Sequence, residues 1–376
     1  MKIAFCTDIY LPQLSGVADS IKLITDNLKR RGHQIRIYAP ERSDTKQDSE
    51  IMRLDSWEIP QSNGDLAFVI PIGMTKDMKE FAPDLIHVHT FSTIGIATLY
   101  ARNALGVPLV GTDHTFPADY MHYFKLGYEP FKDGARKFAA WFYNHCDQVT
   151  APSKSMIEEL KEYGLKVPTS IISNIIPTDI FRPLGEKDLL KKKFGIKGKG
   201  ILIFGRVAKE KNLDFALEIF AEAAKEEEMT FVVLGHGPYA EELQKRAEKI
   251  GVNSRFLGVL RGHELTEAIN ACDLYLITST SDTQSMTTLQ SMACELPVVG
   301  AKAGGLPEYV FDGLTGFMVE PTDKKTFVEK ILKLLKDDKM SKDFGAEGRK
   351  KAVEFSPESI TDKLEEVYKK ALTSRQ

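Results

Sequence analysis

Residues 200–237 read GILIFGRVAKEKNLDFALEIFAEAAKEEEMTFVVLGHG, and this stretch decides the fold of the chain. It contains a short apolar run at 200–205, an amphipathic helical pattern from Asn212 to Lys225, and a second apolar run at 230–237. Short apolar runs of this length are typical of strands that are buried on both faces. Two such strands joined by a helix predict a parallel pair with a crossover connection.

The same alternation continues on both sides of this unit. Further strand-like runs lie at residues 2–7, 34–39, 84–89, 108–114, 148–153, 169–173, 254–258, 273–278 and 297–301. The rhythm breaks at residues 174–184, which contain two prolines, so we place a domain junction there. We therefore predict two doubly wound α/β domains, 1–183 and 184–355, which face each other across a cleft at the carboxyl ends of their strands. The last segment, 356–376, is expected to be a helix that returns to the first domain.

Composition predicts a cytoplasmic protein of ordinary charge. A length of 376 residues suggests two domains, and a formal net charge of -3 gives no global signal for a nucleic-acid partner. The four cysteines, Cys6, Cys146, Cys272 and Cys294, lie far apart in apolar runs, as expected for reduced, buried thiols. No apolar stretch reaches the roughly 18 residues that span a bilayer, and the N-terminus does not read as a signal peptide.

The segment from Thr278 to Gly316 has the pattern of a site for a phosphorylated, hydroxyl-rich ligand. Apolar residues at helical spacing predict a helix whose first turn, residues 283–287, presents unpaired amides and a positive dipole end to a phosphate. This turn contains Ser285, Met286 and Thr287.

Two polar side chains border this predicted helix start. Asp282 precedes it and Gln290 lies about two turns later, where a carboxylate and an amide can bond sugar hydroxyls. From the segment alone, the alternative is a capped surface helix followed by the ordinary Gly304-Gly305 turn.

Arg206 and Lys211 flank the loop between the first strand and helix of the opening stretch. Two cations beside a helix start can neutralise a diphosphate, whereas a mixed-charge loop is also consistent with surface salt bridges. In the first half, Gly16 opens a helix after a strand and a loop, which suits a phosphate or sugar but also an ordinary surface loop.

Three histidines, His87, His89 and His114, lie at predicted strand ends. They have no ligand spacing typical of zinc, so a metal site is the poorer interpretation. His114 is placed to contact a sugar hydroxyl or relay a proton, and the alternative is a structural histidine that bonds loop carbonyls.

Several separate motifs occur in an order that resembles the retaining GT-B glycosyltransferases of glycosyltransferase family 4. They are YLPQLSGV, HVH, DHT, APS, FRP, GRVAKEKN, GHGP and the segment 278–316, and they cover nearly the whole chain. The resemblance implies two Rossmann-like domains, a nucleotide-sugar donor held mainly by the second, a hydroxyl acceptor held mainly by the first, and no metal or other cofactor.

By matching position, the resemblance also implies roles for individual residues. Arg206 and Lys211 bind the donor diphosphate, and His114 contacts the donor sugar near the reacting carbon. Gly16 lets the first domain close over the donor, and the helix start at 285–287 adds to the phosphate site. Asp8 in the first loop is assigned to the acceptor side.

Asp282 and Gln290 stand where the family usually has two glutamates, which bind the sugar hydroxyls and the ribose. The aspartate is one methylene shorter and the glutamine is uncharged. We therefore expect a weakened or shifted donor preference, or a loss of activity.

The motifs are most similar to the branch that glycosylates diacylglycerol and related lipids, with lipid mannosyltransferases close by. Tyr120 and Tyr123 then line the acceptor side or, alternatively, pack in the core. The aromatic and basic residues of 128–145 fit a helix on a membrane surface, although a helix with its aromatics turned inward is the simpler interpretation.

These observations together predict a metal-independent transferase that moves a hexose from a UDP- or GDP-sugar to a hydroxyl acceptor, such as a membrane glycerolipid. Peripheral contact with the inner face of the cell membrane is part of this hypothesis, and a nucleic-acid partner is not. The alternatives are a nucleotide-sugar epimerase of the same fold and a catalytically weakened sugar-nucleotide binding protein.

Overall fold

The chain forms two compact units in a computed structural model, which describes residues 1–13, 15–42, 48–58, 67–114 and 129–374. Unit 1 comprises Met1–Ile175 and Pro357–Gln376, and unit 2 comprises Ile176–Ser356. Both are α/β structures built on a parallel sheet, which confirms the predicted fold class.

Unit 1 contains one parallel sheet, a small hairpin and six helices among its described residues. The sheet strands are β1 (Lys2–Cys6), β2 (Gln34–Pro40), β3 (Ile51–Leu54), β6 (Leu85–Val88), β7 (Leu109–Thr112), β8 (Gln148–Ala151) and β9 (Thr169–Ile171). The antiparallel pair is β4 (Ser56–Glu58) and β5 (Ala67–Val69). The helices are α1 (Gly16–Arg30), α2 (Met74–Phe81), α3 (Thr93–Leu105), α4 (Glu129–Tyr143), α5 (Lys154–Glu162) and α13 (Pro357–Thr373).

The strand order of this sheet reverses beside its first strand. The order is β3-β2-β1-β6-β7-β8-β9, so the chain moves outward from β1 in one direction and then restarts at β6 on its other side. β1 and β6 are buried on both faces, with Phe5 and Ile86 fully enclosed. In open parallel sheets, ligands bind outside the carboxyl ends of the strands at such a switch point.

The last helix, α13, packs against unit 1. Tyr368 is fully buried, and its hydroxyl lies 2.7 Å from Nδ1 of His87 on β6. At the other end of the contact, Arg31 donates to Asp362 at 2.6 Å. The C-terminal helix thus supplies a buried hydrogen-bond partner for His87 on the sheet of unit 1.

Unit 2 contains a six-stranded parallel sheet in its described residues. Its strands are β10 (Lys199–Phe204), β11 (Met229–Leu234), β12 (Ser254–Gly258), β13 (Leu274–Ile277), β14 (Val298–Ala301) and β15 (Gly316–Val319). Its helices are α6 (Lys187–Phe194), α7 (Leu213–Ala223), α8 (Ala240–Lys249), α9 (Gly262–Asn270), α10 (Met286–Ala293), α11 (Lys324–Lys336) and α12 (Asp338–Val353). The order β12-β11-β10-β13-β14-β15 reverses between β10 and β13.

The loops after β10 and β11 are packed backbone to backbone. Val207 donates its amide to the His236 carbonyl at 3.0 Å, and Tyr239 donates to the Val207 carbonyl at 3.0 Å. Gly235 has a φ of 130°, and a Cβ there would lie 1.9 Å from the carbonyl oxygen of Gly205. Glycine is therefore required at this position for the two loops to approach.

Gly235→Ala is expected to lower the free energy of unfolding by at least about 2 kcal/mol, because it adds a backbone clash to an unfavourable φ. The matched control is Gly134→Ala on α4, where a Cβ meets nothing within 4 Å. There the higher helix propensity of alanine should raise the free energy of unfolding by about 0.5–1 kcal/mol. Urea denaturation followed by circular dichroism measures both, and equal stabilities for the two variants would contradict this account.

Candidate active site

Lys211 and Asp282 meet at the point where the strand order of unit 2 reverses. Lys211 follows β10 and Asp282 follows β13, and Lys211 Nζ lies 2.9 Å from Asp282 Oδ1. The two side chains are 27% and 17% exposed, so solvent screens this pair less than a surface ion pair. The structure therefore brings together two of the residues that the sequence assigned to donor binding.

Backbone contacts hold Lys211 in place. It ends a short 3-10 turn, Lys209–Lys211, and Asn212 then takes a left-handed conformation with a φ of 55° before α7 begins. The hydroxyl of Thr278, just after β13, lies 3.2 Å from the Lys211 carbonyl oxygen and 3.0 Å from that of Asn212. Thr278 is buried, so this turn is fixed to the end of the neighbouring strand.

The Gly304-Gly305 turn packs closely against the backbone of the loop that carries Asp282. The Gly305 amide donates to the Asp282 carbonyl at 2.8 Å. A Cβ on Gly304 would lie 2.4 Å from that same oxygen, and one on Gly305 would lie 1.8 Å from the Thr283 carbonyl oxygen. Any side chain at the Gly304-Gly305 turn would thus displace the loop that carries Asp282.

The predicted first helical turn at residues 283–287 is wrong in its starting point, because α10 begins at Met286 with Ser285 as its N-cap. The Ser285 amide donates to the Tyr309 hydroxyl at 2.8 Å instead of entering the helix. Together with the Gly305 bond to Asp282, this tertiary contact keeps residues 283–285 outside the helix.

Two amides at the start of α10 remain open. Ser285 uses its amide for Tyr309, and the Thr288 amide donates to Ser285 Oγ at 3.2 Å. The amides of Met286 and Thr287 find no acceptor within the part of the chain that the structure describes. They lie at the positive end of the helix dipole, an arrangement that favours an anion.

Arg206 and Gln290 have different surroundings from Lys211 and Asp282. Arg206 forms an ion pair with Glu210, four residues further along the loop, and both side chains are more than two-fifths exposed. This is the surface salt bridge that the sequence left open as an alternative for the loop. Gln290 is half-buried in the second turn of α10.

Three histidines lie side by side at the corresponding edge of unit 1. His89 Nδ1 and His114 Nε2 are 2.8 Å apart, and the two rings meet edge to edge, with an interplanar angle of 19° and ring centroids 5.1 Å apart. The His87 ring lies 4.1 Å from that of His89. Both nitrogens of His87 are engaged, Nδ1 with Tyr368 and Nε2 with the Thr112 hydroxyl at 2.6 Å.

All three imidazoles are neutral at pH 7. Burial lowers the pKa of His87 to about 3, and the nearby His114 contributes to this shift. Burial lowers the pKa of His114 to about 4. The pKa of His89 is also well below its usual value, first because of burial and then because of His87 and His114. The cluster therefore supplies uncharged hydrogen-bonding groups and no positive charge.

Asp8 lies across the switch point of unit 1 from the end of β6. Its Oδ2 accepts hydrogen bonds from Thr90 at 2.6 Å and from Ser92. Its Oδ1 is enclosed and meets no donor among the described residues. Burial raises the pKa of this carboxyl, and the bonds from Ser92 and Thr90 only partly offset that effect.

The remaining assigned residues are less informative. Gly16 is the exposed first residue of α1, after the N-cap Ser15. Tyr120 and Tyr123 lie outside the described residues. Within the described ranges, no group of three His, Cys, Asp or Glu side chains is placed to hold a metal ion, and no helix has the length and apolar character needed to cross a bilayer.

Comparison with known proteins matches each unit to a glycosyltransferase family model. Residues 14–180 match the model of Glycosyltransferase Family 4, and residues 186–351 match that of Glycosyl transferases group 1. An alpha-monoglucosyldiacylglycerol synthase of Streptococcus pneumoniae is 30% identical over 84% of this chain and 74% of its own length. The chain belongs to glycosyltransferase family 4.

A further relative and a solved structure are also similar to this chain. A GDP-mannose-dependent alpha-mannosyltransferase of Corynebacterium glutamicum is 25% identical to this glycosyltransferase over 90% of the chain and 81% of the relative. The structure of Anabaena Alr3699/HepE in complex with UDP matches with a TM-score of 0.79 at 19% identity, covering 98% and 100% of the two chains. This match confirms the predicted GT-B fold.

Two residues that hold the glycosyltransferase site together were missed from the sequence. They are Thr278, which fixes the Lys211 turn, and Tyr309, which occupies the Ser285 amide. Thr278 directly follows a strand, so its position was a usable signal. Tyr309 lies 24 residues from its partner, and nothing in its local sequence indicates the contact.

Because the three histidines are neutral in the native state, we expect a fall in pH to lower the free energy of unfolding of this glycosyltransferase. In the unfolded state a histidine titrates near pH 6.5, whereas the native pKa of His87 is about 3. As the pH falls from 6.5 to 5, the unfolded state binds a proton that the native state excludes, so His87 alone should cost on the order of 2 kcal/mol of stability.

His87→Gln should therefore reduce the loss of unfolding free energy between pH 6.5 and pH 5 by roughly that amount. Urea denaturation at the two pH values measures the change. Tyr368→Phe is the matched control, because it removes a hydrogen bond to His87 while keeping the three imidazoles. An unaltered pH dependence in His87→Gln would refute the claim that His87 is neutral and buried.

Proposed function

We propose that the protein is a retaining hexosyltransferase that moves a hexose from a UDP- or GDP-sugar to a hydroxyl of a membrane glycerolipid. The observation that carries the proposal is the Lys211–Asp282 pair beside the two open amides of α10. This arrangement places a cation and a helix N-terminus, which suit a diphosphate, next to a carboxylate, which can bind sugar hydroxyls. A sugar diphosphate requires both kinds of group.

In this proposal, unit 2 binds the donor. Lys211, Arg206 and the amides of Met286 and Thr287 hold the diphosphate, with the Ser285 cap fixing where α10 begins. Their charge and dipole stabilise the negative charge that develops on the diphosphate as it leaves. Asp282 accepts hydrogen bonds from sugar hydroxyls, and Gln290 bonds the ribose diol.

The transfer step needs no protein base. The bond between the acceptor oxygen and the anomeric carbon forms on the face from which the diphosphate leaves, and the leaving diphosphate takes the acceptor proton. The protein then contributes position and electrostatic stabilisation. His114 contacts the sugar as a neutral group, since its pKa of about 4 keeps it uncharged at pH 7.

Unit 1 is proposed to carry the acceptor side. Asp8 offers an enclosed oxygen without a donor among the described residues, and Tyr120 and Tyr123 are assigned here on sequence grounds alone. Gly16 at the start of α1 is assigned a role in closure over the donor. The lipid class rests on the names of the relatives, one of which is a monoglucosyldiacylglycerol synthase.

An exposed aromatic surface supports peripheral contact with the inner face of the cell membrane. On α4, Ala139 and Phe142 are fully enclosed, whereas Phe138 and Trp141 are 43% and 49% exposed and stack on each other at 5.5 Å. The exposed Lys137 lies next to them. The buried face agrees with the interpretation of a helix that packs its aromatics inward, and we propose the outer face as the one that lies at the boundary between lipid headgroups and acyl chains.

The function is tested by incubating the purified protein with UDP-glucose, UDP-galactose or GDP-mannose, with and without diacylglycerol or glycosyldiacylglycerol vesicles. We expect nucleotide release that requires the lipid, and a glycolipid whose new linkage keeps the anomeric configuration of the donor. Sugar turnover without acceptor would favour the epimerase alternative, and binding without turnover would favour the binding protein. An inverted linkage would refute retention.

Arg206→Ala should weaken donor binding by about 10- to 100-fold, the loss expected when one charged hydrogen bond to a phosphate is removed. Arg246→Ala is the matched control, because Arg246 also forms an exposed ion pair, with Asp214 at 2.9 Å. Titration calorimetry with the donor identified above compares the two. Equal affinities would remove Arg206 from the diphosphate site and leave its surface salt bridge as its role.

Replacing Phe138 and Trp141 together by serine should weaken binding to anionic phosphatidylglycerol vesicles by about tenfold or more, because two apolar side chains lose their burial in lipid. Ile250→Ser, at a 51% exposed apolar residue of unit 2, serves as the control. Vesicle sedimentation measures the bound fraction. Unchanged binding of the double variant would exclude this face of α4 as the membrane contact.

A further inference from the structure

We propose that His89 is a positioning residue that fixes the proton of His114 on Nδ1, so that His114 presents an N–H group to the donor sugar. The inference rests on the proposed function, in which His114 contacts that sugar. Its basis is the 2.8 Å contact between His89 Nδ1 and His114 Nε2.

Two proton arrangements are compatible with this contact, because a hydrogen bond between neutral imidazoles needs one N–H and one lone pair. In the first, His89 donates from Nδ1, which leaves His89 Nε2 bare and puts the His114 proton on Nδ1. In the second, His114 donates from Nε2, which puts the His89 proton on its own Nε2 and leaves His114 Nδ1 bare.

The surroundings of His89 Nε2 favour the first arrangement. This atom is buried and meets no hydrogen-bond partner among the described residues. The Phe5 ring stacks on the face of the imidazole with centroids 5.4 Å apart and offers no hydrogen-bond acceptor. The second arrangement would bury an N–H group without an acceptor. In folded proteins, buried N–H groups without an acceptor are rarer than buried acceptors without a donor.

No other described residue competes for His89. His87 is its nearest imidazole, but both His87 nitrogens are already engaged with Tyr368 and Thr112. His114 is therefore the partner that satisfies His89, and His89 in turn holds His114 Nε2. The His114 ring is partly exposed, so Nδ1 is the nitrogen left for a ligand.

An Nδ1–H group suits the proposed position of His114. Sugar hydroxyls, the ring oxygen and the diphosphate oxygens all accept hydrogen bonds, whereas a bare nitrogen would repel the latter two. A fixed neutral donor also becomes a stronger partner as negative charge develops on the departing oxygen. The pair thus supplies directional hydrogen bonding without a cation in this part of unit 1.

The proton positions can be measured without any enzymatic assay. Protein labelled with 15N-histidine is recorded by long-range 1H–15N correlation, which distinguishes a protonated ring nitrogen from a bare one. His114→Gln and His89→Asn assign the signals. We expect a protonated Nδ1 and a bare Nε2 for His114, and the opposite pattern would overturn the proposal whether or not the protein transfers sugar.

Kinetics of variants then test the positioning role. His89→Phe keeps an aromatic ring beside Phe5 but removes the donor, and it should lower kcat about 10- to 100-fold with little change in KM. His89→Asn restores an N–H near the Nδ1 position and should recover kcat to within a few-fold. The matched control is Tyr368→Phe, which disturbs the same cluster through His87 and should leave kcat unchanged.

The outcomes separate the two proposals. An equal loss of kcat in His89→Phe and His89→Asn, or an effect confined to KM, would show that His89 does not act through its donor group. If the parent protein has no transferase activity with any donor, the proposed function fails, and the NMR result still decides the state of the histidine pair.

Discussion

The reversal of strand order in each sheet is the constraint on which the candidate site depends. At such a point the two neighbouring strands send their following segments to opposite faces of the sheet, which leaves an opening at their carboxyl ends. In unit 2 the opening lies between β10 and β13, and the Lys211–Asp282 ion pair joins the two segments that leave it. In unit 1 it lies between β1 and β6, and Asp8 is bonded across it by Thr90 and Ser92.

The two switch points use different electrostatics. Unit 2 holds a partly buried ion pair, which is neutral as a whole, next to a helix N-terminus whose first two amides are open, and it is this helix end that presents positive potential to a diphosphate. Unit 1 holds neutral histidines and a buried carboxyl whose pKa is raised by its burial. In the proposed function, the diphosphate that gains charge binds at the open helix end of unit 2, and His114 of unit 1 contacts the sugar as a neutral group.

The alternation of apolar runs and helical patterns was sufficient to predict both parallel sheets, because buried parallel strands must be apolar on both faces. The family resemblance assigned Lys211 and Asp282 to one donor site, and both residues follow strands whose carboxyl ends lie at the same edge of the sheet. The strands β3, β4, β5 and β15 were missed, although β5 (AFV) and β15 (GFMV) are apolar and could have been found by the same pattern. The start of α10 was misplaced because the Gly305 and Tyr309 bonds that set it come from residues distant in sequence. The His89–His114 pair depends on the adjacency of β6 and β7, which histidine spacing alone does not reveal.

The most direct test of the central claim is a crystal structure of the protein with the nucleoside diphosphate of its donor. We expect diphosphate oxygens within hydrogen-bonding distance of the Met286 and Thr287 amides and of Lys211 Nζ, with α10 still beginning at Met286. A diphosphate bound elsewhere, or one that leaves those amides and Lys211 without contact, would contradict it.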